Sequence, residues 1–181
     1  MPASFYLGLL LFAVYAMHVY DKRQNNIVAE LLWACNVNNL LMSVGLIFNI
    51  YWLLVIGFMF QVGVGIPAYL FEILGKKVAY EREIFMHVAP ALFGFVALRE
   101  LGLPPYAGVV TFLVMIVLLL MVSFYATKPE LNVNVVHSPW ELCQRFFAHR
   151  MRLYRLLNGV ICLLFLLTAE LLYTRWPFTK S

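Results

Sequence analysis

The chain has 181 residues, 64% of them hydrophobic and only 12% charged, with a mean hydropathy of +0.85. Soluble domains carry roughly 45–50% apolar residues, so a water-soluble fold of this length has no interior large enough to hide the surplus. A formal net charge of +4 and a pI near 9.0 then read as membrane anchoring. No soluble basic domain is present to bind nucleic acid.

A helix needs about 20 apolar residues to cross the hydrocarbon core. Six stretches meet this, near 4–20, 27–47, 52–72, 84–100, 106–126 and 153–174. Short alternating barrel segments do not occur. The expected fold is therefore all-α: one polytopic membrane domain, 1–181, with six transmembrane helices and a cytoplasmic loop, 127–152, bearing an interfacial helix.

The first span lacks a basic stretch before it and a clear small-x-small site after it, so it reads as a retained helix rather than a signal peptide. It ends at His18 and Asp21. The second span carries Glu30, Cys35, Asn36, Asn38, Asn39 and Ser43. Asn36, Asn39 and Ser43 share a helical stripe, Cys35 borders it, and Asn38 points toward another helix. Asn36 and Asn39 are either interhelical hydrogen-bonding groups or binders of a substrate's polar head. The division between the second and third spans falls at Phe48-Asn49-Ile50-Tyr51, which suits a tight hairpin.

The third span places Gly57, Gln61, Gly65, Ala68 and Glu72 on one stripe, with Gly63 and Pro67 suggesting a kink. The fourth opens with Glu83 and His87 one turn apart and continues through Pro90 and Gly94. A carboxylate at this spacing fixes a histidine tautomer for acid–base work, or forms an interfacial salt contact. In the long loop, Asn134 and His137 are candidates to complete a site. Ser138 and Pro139 suit the start of an amphipathic helix over 139–152, which would anchor the loop on lipid or act as a lid. The sixth span carries Arg155, Asn158 and Cys162, with Glu170 near its far end beside Arg175. Arg155 is placed to snorkel to the interface.

The loops 21–26, 73–83 and 127–152 and the adjoining helix end hold Lys22, Arg23, Lys76, Lys77, Arg82, Lys128, Arg145, Arg150, Arg152 and Arg155, against Arg99, Arg175 and Lys180 opposite. The bias makes the first side cytoplasmic and puts both termini outside, as in a bacterial inner membrane.

The three cysteines form no CxxC and no disulfide framework. His18, Glu72 and His87 reach a common depth on three helices, but no HxxxH, ExxH or HExxH pattern marks a metal site. Haem would require facing axial ligands that no histidine pair identifies, so no cofactor is assigned.

Three functions remain open. One is a membrane enzyme acting on a lipid or lipid-linked substrate at the cytoplasmic side. There His87 is the acid or base, Glu72 or Glu83 orients it, and Cys35, expected deeper than His87, is an acyl-accepting nucleophile. Asn36, Asn39, Gln61, Asn134 and His137 then bind the substrate. The others are a small-solute or ion transporter and an accessory subunit of a membrane complex. Membrane lipids, a second copy of the chain or other membrane proteins are the expected partners, and nucleic acid is not.

Overall fold

The computed structural model describes residues 3–26, 28–76, 81–135 and 137–175. Among these residues the ordered elements are helices, with no strand. Helix α1 is Ala3–Gln24, followed by a 3₁₀ turn at Val28–Leu32 and α2 at Ala34–Phe48. Helix α3, Tyr51–Phe60, runs through a π-helical segment, Gln61–Gly65, into α4, Ile66–Lys76. Helix α5 is Glu81–Leu98. Helix α6, Ala107–Thr111, joins α7, Leu119–Ala126, through a second π segment, Phe112–Leu118. Helix α8 is Glu141–Phe147 and α9 is Met151–Arg175.

Four of these helical runs are long and apolar enough to cross a membrane: Ala3–Gln24, Tyr51–Leu74, Ala107–Ala126 and Met151–Arg175. The second and fourth predicted spans hold shorter apolar helices, Ala34–Phe48 and Ile84–Leu98. The chain is thus an all-α, multi-pass integral membrane protein.

The predicted second span begins late as a helix. Residues 28–32 form a 3₁₀ turn, and the α-helix starts only after Trp33, whose ψ of 134° breaks the ladder. The hairpin joint is a left-handed Asn49, φ 55°, with the Ile50 amide returning to the Gly45 carbonyl at 2.9 Å. Asparagine tolerates this region better than other non-glycine residues. Gly45 lets the two arms close: a Cβ there would lie 2.8 Å from the Leu54 backbone nitrogen.

Contacts at matched depth show that consecutive long helices alternate in direction. Gly8 near the start of α1 lies against Ile47 near the end of α2. The Tyr51 hydroxyl donates to the Gly102 carbonyl at 3.2 Å, joining the hairpin to the 101–106 turn at one end. At the other end Trp140 stacks on Phe71 at 5.1 Å. This second end carries the lysine- and arginine-rich loops and is the basic end of the bundle.

The core, including Met42, Leu46, Val55, Met59, Leu98, Met115 and Leu166, lies between α2, α3, α5, the second π segment and α9. Helix α1 buries only Gly8 and Leu11, and α9 buries a single stripe of Tyr154, Cys162, Leu166 and Tyr173. Most of their other apolar side chains are exposed, among them Leu9, Leu10 and Phe12 of α1 and Leu156, Leu164 and Leu172 of α9, as hydrocarbon permits and water does not.

The expected amphipathic helix is shorter than 139–152. Trp140 is its N-cap, Pro139 precedes the cap, and Ser138 makes no capping bond. Its backbone amide is instead held by Asn132 Oδ1 at 2.8 Å.

Candidate functional site

The polar belt is built around a proline. Pro90 has no N–H, so the Met86 carbonyl four residues earlier loses its helical donor, and the pyrrolidine ring disturbs the ladder in that turn. A carbonyl left bare in this interior would be costly. Asn39 Nδ2 donates to the Met86 carbonyl at 3.2 Å, and Gln61 Nε2 donates to the His87 carbonyl at 2.7 Å. Gln61 is oriented in turn by Asn38, whose Nδ2 donates to Gln61 Oε1 at 2.8 Å. Three helical runs are therefore joined through two carbonyls in the turn of α5 before Pro90.

All three amides are fully buried, and Asn36 nearly so. Ser43 Oγ donates back to the Asn39 carbonyl at 2.7 Å. Gly65 leaves room for the Gln61 side chain: a Cβ there would sit 3.0 Å from both amide atoms. The expected kink at Gly63 and Pro67 takes the form of the π segment, in which the Ile66 amide reaches back to the Gln61 carbonyl. This extra-wide turn absorbs the donor that Pro67 lacks.

The His87 ring is half-buried and stacks on Tyr69, with centroids 4.3 Å apart and planes 9° from parallel. Stacking fixes the ring plane. The side chains of Glu83 and Glu30 lie outside the described residues. Glu72 is half-buried near the end of α4.

Cys35 is a half-buried thiol outside any disulfide, in the first turn of α2. Asn39 meets Met86, and α2 and α5 run in the same direction. Cys35, one turn before Asn39, therefore lies about 6 Å nearer the basic end. The expectation that it sits deeper than His87 is reversed, because α2 starts late.

Asn134 and His137 do not join Gln61. Asn134 Oδ1 accepts from the Ala34 amide at 2.7 Å, one of the orphan donors opening α2. Its Nδ2 donates to the Leu32 carbonyl at 2.7 Å and to Ser123 Oγ at 2.6 Å. The loop is thereby tied to α2 and α7 beside Cys35. Asn134 and Val135 hold φ of 54° and 56°. The value is costly for a β-branched valine, and Val135 keeps it while buried against its surroundings. His137 stacks on Phe124 with centroids 5.4 Å apart. Its backbone amide donates to Asn132 Oδ1 at 2.9 Å, while its buried Nε2 has no hydrogen-bond partner.

His18 lies near the end of α1 and is not brought into a metal site with Glu72 and His87. Among the described residues no group of three or more His, Cys, Asp or Glu side chains could hold a metal.

A lateral groove of about 560 Å³ runs between α3 and its π segment, α5 and α9. Phe58, Phe95 and Tyr173 line it at the end away from the basic loops, and Pro67 and Ala91 line it toward the basic end. Ala91 follows His87 by one turn on α5, so the groove ends one turn short of the His87–Tyr69 stack, neither ring of which lines it.

The other helix that Asn38 was expected to meet is the run through the π segment, where it aligns Gln61. Pro90 was the available signal for the Asn39 contact, since it announces an orphan Met86 carbonyl facing amide-rich helices. One polar element escaped the sequence reading. At the end opposite the basic one, Glu170 Oε2 accepts the Gly108 amide at 2.8 Å, capping α6 from across the bundle. No family model, curated protein or solved structure matches the chain.

Proposed function

We propose that this protein is a membrane-embedded enzyme acting on an acyl lipid at the basic, cytoplasmic end of a six-span bundle, with both termini outside. The observation that carries this reading is the lateral apolar groove, which ends at Ala91, one helical turn along α5 from the half-buried His87. From Phe165 to Tyr173 along α9 the groove spans about 12 Å, close to eight or nine methylenes. An acyl chain lying there brings its ester toward the basic end.

In this reading His87 is the acid–base group, its plane set by Tyr69. Cys35 is the acyl acceptor, with Glu72 or Glu83 as the orienting carboxylate. The Cys35 sulfur attacks the ester carbonyl and forms a thioester. His87 takes the thiol proton and returns it to the departing glycerol oxygen, releasing a lysolipid. Asn36, Asn134 and His137 lie at the same end and are the head-group candidates. In this reading Asn39 and Gln61, bonded to the backbone carbonyls of Met86 and His87, act as positioning residues.

The test is incubation of the purified protein with phosphatidylcholine and phosphatidylethanolamine in nanodiscs. Lysolipid release and the intact protein mass are followed together. The reading expects an acyl-mass adduct that Cys35→Ser removes and lysolipid release that His87→Gln slows at least a hundredfold, with insertion unchanged. Turnover surviving Cys35→Ser would sink the covalent route. Absent turnover, with a co-purifying polypeptide seated in the groove, would make the chain a complex subunit.

A further inference from the structure

A second groove, of about 320 Å³, lies on another side of α9. Its walls are the second π segment and α7 on one side and Arg155, Leu156, Gly159 and Leu163 on the other. The π segment widens that wall, and Gly159 withholds a side chain opposite it. A Cβ built at Gly159 meets nothing within 4 Å, so the concavity is open space rather than tight packing. Leu156 and Val160 along its edge are 65% and 46% exposed, so the groove opens sideways to hydrocarbon.

Its single charged lining residue is at the basic end. The Arg155 guanidinium carbon lies 4.9 Å from the Phe124 ring centroid, which holds the head group of the side chain at the mouth. Exposed Arg152 follows one turn toward the same end, and exposed Lys128 lies in the adjoining loop. An apolar slot ending in a guanidinium is complementary to an acyl chain ending in a phosphate. From Arg155 to Leu163 is about 12 Å along the helix, room for a chain of roughly nine methylenes.

We infer that this groove is a binding site for an anionic phospholipid, with the phosphate at Arg155 and one acyl chain against Gly159. It is separate from the His87 groove and does not depend on any chemistry there.

The full-length protein is purified in detergent and titrated with phosphatidylglycerol, phosphatidylcholine or inorganic phosphate. Thermal stability and native mass spectrometry are the readouts. Phosphatidylglycerol should bind about tenfold tighter than phosphatidylcholine, and Arg155→Gln should erase that preference. Gly159→Leu places a side chain in the open slot without a backbone collision and should weaken both lipids. If that variant fails to fold, Val117→Trp on the facing wall serves the same purpose. Unchanged lipid affinity in Arg155→Gln and in either groove-filling variant would overturn the proposal. So would equal stabilisation by inorganic phosphate, or a groove-filling variant that changes oligomeric state alone, the mark of an interface between copies.

Discussion

Replacing Asn39 with leucine removes the donor from the Met86 carbonyl and keeps a side chain of similar size. The bond is 3.2 Å long and fully buried, and Asn39 Oδ1 makes no bond of its own, so donation is what the substitution deletes. Side-chain hydrogen bonds between membrane helices average about 0.6 kcal/mol and reach about 1.7. Leaving a buried carbonyl bare costs about 1–3 kcal/mol. Asn39→Leu should therefore destabilise by about 1.5 kcal/mol. The decisive comparison is the same change in a Pro90→Ala background. There the new residue 90 amide can donate to Met86 along the helix, and the cost should fall to about 0.5 kcal/mol. The expected coupling is about 1 kcal/mol, outside the roughly 0.3–0.5 within which independent sites add. Unfolding in mixed micelles of increasing denaturing-detergent fraction, followed by helical circular dichroism, measures all four proteins. Additive costs would refute the claim that the asparagine replaces the donor lost at Pro90.

Three further outcomes rest on named contacts. Gly65→Ala should cost about 1–3 kcal/mol by crowding the Gln61 amide at 3.0 Å, and most of that cost should vanish in a Gln61→Ala background, as denaturing-detergent titration would show. Asn134→Ala deletes the bonds to Ala34, Leu32 and Ser123 and should lower stability by about 2–3 kcal/mol, with faster amide hydrogen exchange confined to residues 28–36. Glu170→Ala should cost about 1 kcal/mol by uncapping α6, while Glu170→Gln, which keeps an acceptor, should cost less than half of that in thermal melts.

Hydropathy located the helices well because every span must satisfy its backbone internally and present apolar side chains outward. The hairpin at Asn49 was legible for the same reason: the apolar run is too long for one crossing, and a residue tolerant of positive φ stands near its middle. The start of α2 was not legible. Residues 28–33 are nearly as apolar as the helix itself, and the Asn134 side chain that bonds on either side of the break at Trp33 comes from a hundred positions away. That late start also reversed the relative depth of Cys35 and His87.

The polar residues were legible as buried but not as partnered. Periodicity grouped Asn36, Asn39 and Ser43, yet Asn38 belongs to the network because Gln61 approaches between α2 and α5. The π segment could not be read at all, since its register depends on Pro67 and on the packing of Gly63 against Leu166. Glu170 has the sequence position of an interfacial charge, and only the fold brings the open amide of Gly108 beside it. Tyr69, the platform for His87, carried no sequence signal beyond being an aromatic residue in an aromatic-rich chain.

The central claim is that the groove ending one turn from His87 receives an acyl chain. Photo-crosslinking with a phospholipid carrying a diazirine midway along one chain, mapped by peptide mass spectrometry in nanodiscs, tests it most directly. The account predicts labelling concentrated on the groove residues Val62, Leu92 and Phe165, several-fold above outward residues of α1 such as Leu10 and Phe12. Moving the diazirine toward the ester should shift labelling toward Ala91 and His87. Labelling spread evenly over α1 and α9, or unmoved by the position of the probe, would contradict it.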